Sequence, residues 1–208
     1  MKQALILGCS HATGAEIHNG ITCSYPVKIA EQLGYAPRNY AISGGSNDAM
    51  FRIYQEQCSG LASSDIVIAC WSGYNRTEIW NDKNKNWQAL APGKTDVAPR
   101  EYSDYQQQWI TYHTDTRIGR YNKIKNIISL NSLAMQQSIQ VINIDSFWPV
   151  TDIVWPSSVY WPVNDNFWDW CNSNNHPRTE WGHFFEPAHR AFAEIITENC
   201  KMWLTTDK

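Results

Sequence analysis

The stretch DIVIACWSGYN, residues 65–75, sets six apolar residues, Ile66 to Trp71, against an abrupt polar exit at Ser72, Gly73, Tyr74 and Asn75. An unbroken apolar run of that length is too short for a helix and lacks the alternation of a half-exposed strand. It predicts a strand covered on both faces, as the strands of parallel sheets are. Working outward, ALILG (4–8) predicts a second buried strand, closed by Gly8. YPVKIAEQLGY (25–35) carries Val27, Ile29, Ala30 and Leu33 on one side and stops at Gly34, a helix pattern. NYAIS (39–43) predicts a strand with GGSND as its polar exit, and DAMFRIYQEQCSGL (48–61) repeats at helical spacing through Met50, Phe51, Tyr54 and Cys58.

Strands and helices alternating at short intervals mean parallel strands joined by helical crossovers. Residues 81–103 are polar with two prolines and predict an inserted surface loop, followed by a helix over about 104–137. IQVINID (139–145) predicts the next strand. The final helix has Glu186 in its cap region, Pro187 at its first turn, and Ala188, Ala191, Phe192, Ile195 and Ile196 on one face. No repeat, low-complexity run or linker divides the chain, so residues 1–208 predict a single α/β domain: a flavodoxin-like three-layer sandwich around a small parallel sheet.

Seventeen basic against 20 acidic residues give a net charge of −3, which offers no basic face for nucleic acid. The 43% hydrophobic content suffices for a full core. Six scattered cysteines form no CxxC pair, so neither a metal site nor a disulfide framework is expected. Met1-Lys2 followed by QALILG lacks a signal-peptide pattern, and no stretch approaches the roughly 20 apolar residues that span a bilayer. The expectation is a protein that is cytoplasmic as synthesised, with no membrane partner.

Ligands of open parallel sheets bind at the carboxyl ends of the strands. Three strands here end in small polar clusters: Gly8-Cys9-Ser10, Ser43-Gly44-Gly45-Ser46-Asn47, and Ser72-Gly73-Tyr74-Asn75. Exposed backbone N–H groups beside a serine are the parts of a nucleophile with an oxyanion hole. The missing base must come from His11, His18, His113, His176, His183 or His189. His11 adjoins Ser10, but neighbouring residues at a strand exit point apart, which disfavours it as the base.

In these blocks the sequence resembles the SGNH (GDSL-type) hydrolases. The first block stands as Gly8-Cys9-Ser10, with Cys9 where the family has aspartate. Gly44 in AISGGSN matches the second, Gly73-Tyr74-Asn75 the third, and Glu180-Trp181-Gly182-His183 the acid-x-x-His of the fourth. SNNHP (173–177) competes for that last block, but lacks an acid where His176 would need one. AHRAFAEII then matches the family's terminal-helix start, leaving His189 structural. The resemblance implies a serine esterase working through an acyl-enzyme without cofactor. Ser10 is the nucleophile, His183 the base and Glu180 its orienting acid. Ser10, Gly44 and Asn75 donate to the oxyanion. Arg76 and Glu78 are expected to pair and prop the Asn75 loop. A metal site from Glu180, His183 and His176 matches no tetrahedral ligand pattern and is not expected.

Residues 147–170 hold Trp148, Trp155, Trp161, Trp168 and Trp170 with three prolines, and read as an aromatic-rich loop. Trp148, Trp155 and Trp161 are candidates for a wall against which a sugar or acyl chain stacks. The expected substrate is a small-molecule or carbohydrate ester, with a short O-acyl group on a carbohydrate favoured. The competing reading is a catalytically silent SGNH scaffold that binds glycan or serves in an assembly. The compact form is similar to SGNH-like proteins of bacteriophage genomes, which would allow association with a virion.

Overall fold

The computed structural model describes residues 1–82, 84–90, 116–151, 153–157 and 159–206. In chain order the elements are β1 (Gln3–Gly8), α1 (Ser10–Thr13), α2 (Tyr25–Gln32), β2 (Ala36–Asn39), α3 (Asn47–Gln57), β3 (Ile66–Trp71), β4 (Thr77–Asn81), β5 (Asn86–Leu90), α4 (Thr116–Gln136), β6 (Gln140–Asp145), α5 (Phe167–Ser173) and α6 (Glu186–Thr206). The main sheet has the order β2-β1-β3-β6, every pair parallel.

Apolar side chains alternate between the two faces of this sheet and each face meets its own helices. Ala4, Ile6, Ile66, Ile68, Cys70, Ile142 and Ile144 point to one side, against Val27, Ile29 and Ala30 of α2 and Ala188, Phe192, Ala193 and Ile196 of α6. Leu5, Leu7, Val67, Ala69, Trp71 and Val141 point to the other, against Met50 and Tyr54 of α3 and Ile127, Leu130 and Ala134 of α4. This is the expected three-layer sandwich. A side chain such as the fully buried Phe192 contributes about 1.5–3 kcal/mol from its removal from water.

Several polar side chains inside pair with one another. Trp71 Nε1 donates to Asn143 Oδ1 at 2.9 Å, and Asn131 and Asn143 exchange amide bonds at 3.1 and 3.0 Å. Beyond β6 the chain returns at Tyr160, whose carbonyl accepts the Asn143 N–H at 3.1 Å, so the outer edge of β6 is covered. All six cysteines are unpaired. Among the described residues no helix is long and apolar enough to cross a membrane.

Three boundaries differ from the sequence expectation. The second strand is Ala36–Asn39, not 39–43. The chain beyond it still bonds to β1, from Tyr40 N to Ile6 O at 2.9 Å and from Ile42 N to Gly8 O at 3.0 Å. That one-sided continuation delivers Ser43 and Gly44 to the end of β1. The segment expected to be a loop from 81 holds a hairpin instead, β4 pairing antiparallel with β5 and Trp80 facing Trp87 at 5.5 Å. Residues 91–103 of that loop and 104–115 of the long helix lie outside the described residues, and the helix is seen from Thr116. The aromatic loop ends in α5, capped by Asn166 Oδ1 on the Asp169 N–H at 2.9 Å.

Candidate active site

β1 ends at Gly8, where there is no room for a side chain: a Cβ would stand 2.5 Å from Ala12 Cβ and 2.9 Å from Cys70 Cβ. The chain can therefore turn directly into α1. Cys9 takes the N-cap position in an extended conformation, and its carbonyl accepts from Ala12 N at 2.9 Å and Thr13 N at 3.0 Å. Ser10 is the first helical residue, 6% exposed. Its backbone N–H belongs to the first turn, where no intrahelical acceptor exists. Its Oγ makes no hydrogen bond among the described residues, so the hydroxyl and the amide of Ser10 are both uncommitted.

His183 sits on a tight turn leading to α6. Thr179 N donates to His183 O at 2.7 Å, Gly182 N to Thr179 O at 3.1 Å, and His183 N to Thr179 Oγ1 at 3.0 Å. The carboxylate on its ring is not the expected one. Glu180 is an exposed residue of the turn, whereas Glu16 Oε2 bonds His183 Nδ1 and accepts Thr179 Oγ1 at 2.7 Å. Left-handed backbone at Gly14 (φ 66°) and Glu16 (φ 67°) folds the chain back after α1 and brings this glutamate to the histidine. Partial burial opposes its ionisation, but the bonds from Thr179 and His183 prevail and hold the Glu16 carboxyl below the usual range. A carboxylate on Nδ1 fixes the proton there and leaves Nε2 as an acceptor, the tautomer of a general base.

The other histidines have different surroundings. His11 is 1% exposed, its ring packed 4.7 Å from Phe147, 5.2 Å from Phe167, 5.7 Å from Trp168 and 5.1 Å from His183. Its Nδ1 has no hydrogen-bond partner among the described residues. Burial first, then the nearby His183, His189 and Arg76, drive its pKa well below the ordinary value, so it serves as a neutral aromatic wall. His189 accepts the Tyr25 N–H on Nδ1 at 3.1 Å, and burial lowers its pKa to about 3. His176 stacks on Trp170 at 5.2 Å. Among the described residues no group of three His, Cys, Asp or Glu side chains could hold a metal ion.

The two remaining strand exits converge beside Ser10. By sequence Gly44 and Gly45 are equivalent donors, but Gly45 N is bonded to Ile42 O at 2.7 Å, while Gly44 N has no bond among the described residues. Gly44 adopts φ 77°, which glycine alone takes without strain. Asn47 locks this loop to the next: its Oδ1 accepts Ser72 N at 2.9 Å and its Nδ2 donates to Ser72 O at 3.3 Å. Past Ser72, a Cβ on Gly73 would lie 3.0 Å from the Trp148 ring and 3.1 Å from Asn75 Oδ1, so the Asn75 side chain and the Trp148 ring both close in on Gly73.

Arg76 does not pair with Glu78. It donates to Ser72 Oγ at 3.0 Å and lies over the Phe147 ring at 5.3 Å. Glu78 is taken instead by Arg52, at 2.8 and 3.0 Å. Of the three candidate tryptophans, Trp148 stands at the site, 44% exposed and 5.1 Å from Tyr74. The buried ion pair of Lys123 with Asp145, at 2.5 Å, holds it there, since Lys123 Nζ also donates to the carbonyls of Phe147 and Trp148, each at 3.1 Å. Trp155 and Trp161 pack together at 5.5 Å and line another cavity of about 290 Å³, whose walls include none of Ser10, Gly44, Asn75 or His183. Sequence reasoning passed over Glu16, and placed Phe147 and Trp168 only within the aromatic-rich loop, not as rings that pack on His11.

No protein-family model matches the chain, and no curated relative matches it in sequence. Its fold, however, is that of the SGNH hydrolases. The psychrotrophic esterase EstA from Pseudoalteromonas sp. superposes with a TM-score of 0.53 at 13% identity, over 99% of this chain and 100% of that one. A candidate SGNH hydrolase from Slackia heliotrinireducens gives a TM-score of 0.53 at 12% identity, over 96% of this chain and 98% of that one. The acetyl xylan esterase Est2A from Butyrivibrio proteoclasticus gives 0.50 at 10% identity, over 98% of this chain and 64% of that one.

Proposed function

We propose that the protein is a serine esterase. The observation that carries this reading is His183, its Nδ1 held by Glu16 and its ring packed 5.1 Å from that of His11, the chain neighbour of an uncommitted Ser10 at the end of β1. Ser10 Oγ attacks the ester carbonyl and His183 Nε2 takes its proton. The N–H groups of Ser10 and Gly44 and the amide of Asn75 hold the oxyanion. Collapse expels the alcohol, which takes the proton from His183 and leaves an acyl-Ser10. Water, deprotonated by the same imidazole, then releases the acid. Glu16 replaces Glu180 as the orienting acid. The reading extends to a short acyl group on a carbohydrate, supported by the half-exposed Trp148 beside Asn75, a surface suited to a sugar ring.

The silent glycan-binding reading is favoured by one observation, the absence of a hydrogen bond from Ser10 Oγ to His183. Apo active sites are often loose in this respect. Hydrolysis of 4-nitrophenyl acetate and butyrate by the wild type, Ser10→Ala and His183→Ala proteins separates the two. Turnover lost in both variants, with circular dichroism unchanged, is the expected result. A wild type without turnover, or variants that equal it, overturns the esterase.

A further inference from the structure

Three of the described arginines are held by side-chain acceptors. Arg52 is held by Glu56 and Glu78, and Arg190 by Glu186. Arg38 donates to Gln3, Tyr40 and Gln57. Arg76 and Arg178 differ: among the described residues neither has a carboxylate within 4 Å. Both nevertheless lie over rings at the candidate site. Arg76 follows Asn75 and lies over Phe147 at 5.3 Å. Arg178 bridges to Phe184, next to His183, and lies over Trp168 at 5.2 Å. Phe147 and Trp168 are themselves 5.5 Å apart, and both pack on His11, the neighbour of Ser10.

A guanidinium resting on a ring keeps its in-plane N–H groups free for a planar anion. Arg76 uses one N–H on Ser72 Oγ, and no hydrogen bond of Arg178 side-chain donors is formed among the described residues. The one carboxylate bonded to the site's histidine, Glu16, already accepts from Thr179 and His183. Two cations with no carboxylate partner among the described residues, on one aromatic pair in a chain of net charge −3, are a local arrangement and not a general excess of positive charge.

We propose that Arg76 and Arg178 form an anion-binding rim on the esterase site, so that its preferred substrates are esters bearing a carboxylate or other oxyanion on the part held against Phe147 and Trp168. This rests on the esterase reading for turnover but not for binding. Arg76 and Arg178 are thus specificity-determining residues, acting on which ester is held and not on the acyl transfer itself.

The test compares 4-acetoxybenzoate with its methyl ester, which differ in one charge. The expected result is a ratio of kcat/KM, anionic over neutral, that falls about tenfold or more in the Arg76→Gln/Arg178→Gln protein. It is partly restored in the Lys/Lys protein and lowered by added salt, as exposed charge interactions are. A ratio unchanged within about twofold overturns the proposal. Calorimetric binding of 4-hydroxybenzoate and methyl 4-hydroxybenzoate runs alongside. If the wild type hydrolyses neither ester, the esterase reading fails, and binding decides the rim. Tighter binding of the anion that the double Gln variant loses supports it, and equal binding of the two, or none, overturns it.

Discussion

Replacing Glu16 by glutamine tests which carboxylate governs His183. Glutamine keeps the size of the side chain and can still meet Nδ1, but its amide can present an N–H and so invite the tautomer that carries its proton on Nε2. That tautomer cannot accept from Ser10. Neutralising a fully enclosed acid in a serine triad costs about 10⁴ in turnover. Glu16 is less enclosed, its side chain 25% exposed and its oxygen shared with Thr179. Solvent screens part of its effect on the imidazolium, so the expected loss in kcat for Glu16→Gln is smaller, about 10²–10³. Glu180→Gln alters an exposed turn residue and should leave kcat within about twofold. Both variants are assayed with 4-nitrophenyl acetate at neutral pH, with KM followed separately, because an orienting acid acts on kcat. A Glu180→Gln protein that loses as much as Glu16→Gln, or a Glu16→Gln protein with wild-type kcat, refutes the assignment.

Two further outcomes concern stability. Gly8→Ala places a methyl 2.5 Å from Ala12 Cβ and 2.9 Å from Cys70 Cβ; overpacking of that kind costs about 1–3 kcal/mol and should lower the urea midpoint, whereas a wild-type midpoint would mean that α1 moves aside freely. His189 is neutral when folded, its pKa held to about 3 against about 6.5 in the unfolded chain. Between those values the unfolded state binds the extra proton, so stability falls as the pH drops through that window. The contribution is about 2 kcal/mol between pH 7 and pH 5 at 1.36 kcal/mol per pH unit. His189→Gln keeps an acceptor for Tyr25 N–H and should show that much less pH dependence in urea unfolding; an identical dependence in both proteins would contradict the assignment.

The parallel core was readable because its strands are apolar on both faces, and Ile66–Trp71, Gln3–Gly8 and Gln140–Asp145 stand where continuous apolar runs placed them. The second strand was misplaced because its edge position tolerates Pro37 and Arg38. The candidates Ser10, Gly44, Asn75 and His183 could be placed in the fold from sequence because each follows a strand or precedes a helix with strong local signals. Glu16 was not. It lies in an irregular stretch of left-handed residues, Gly14, Glu16, Asn19 and Gly20, with no periodicity to place it, and its partner is 167 positions away. An acid three residues before His183 drew attention to Glu180, but a turn closed by Thr179 faces that side chain outward. Distinguishing Gly44 from Gly45 likewise required knowing which amide the Ile42 carbonyl had taken.

The bond between Glu16 and His183 spans nearly the whole chain. The proposed nucleophile and acid lie six positions apart near the start, yet the base reaches them only when the turn at Thr179 has docked and α6 covers the sheet. Closing so long a loop is among the slower steps of folding. On a ribosome, therefore, the first strands assemble with an inert serine, and the proposed chemistry arises only after α6 has emerged. Onset of turnover would then time the docking of α6.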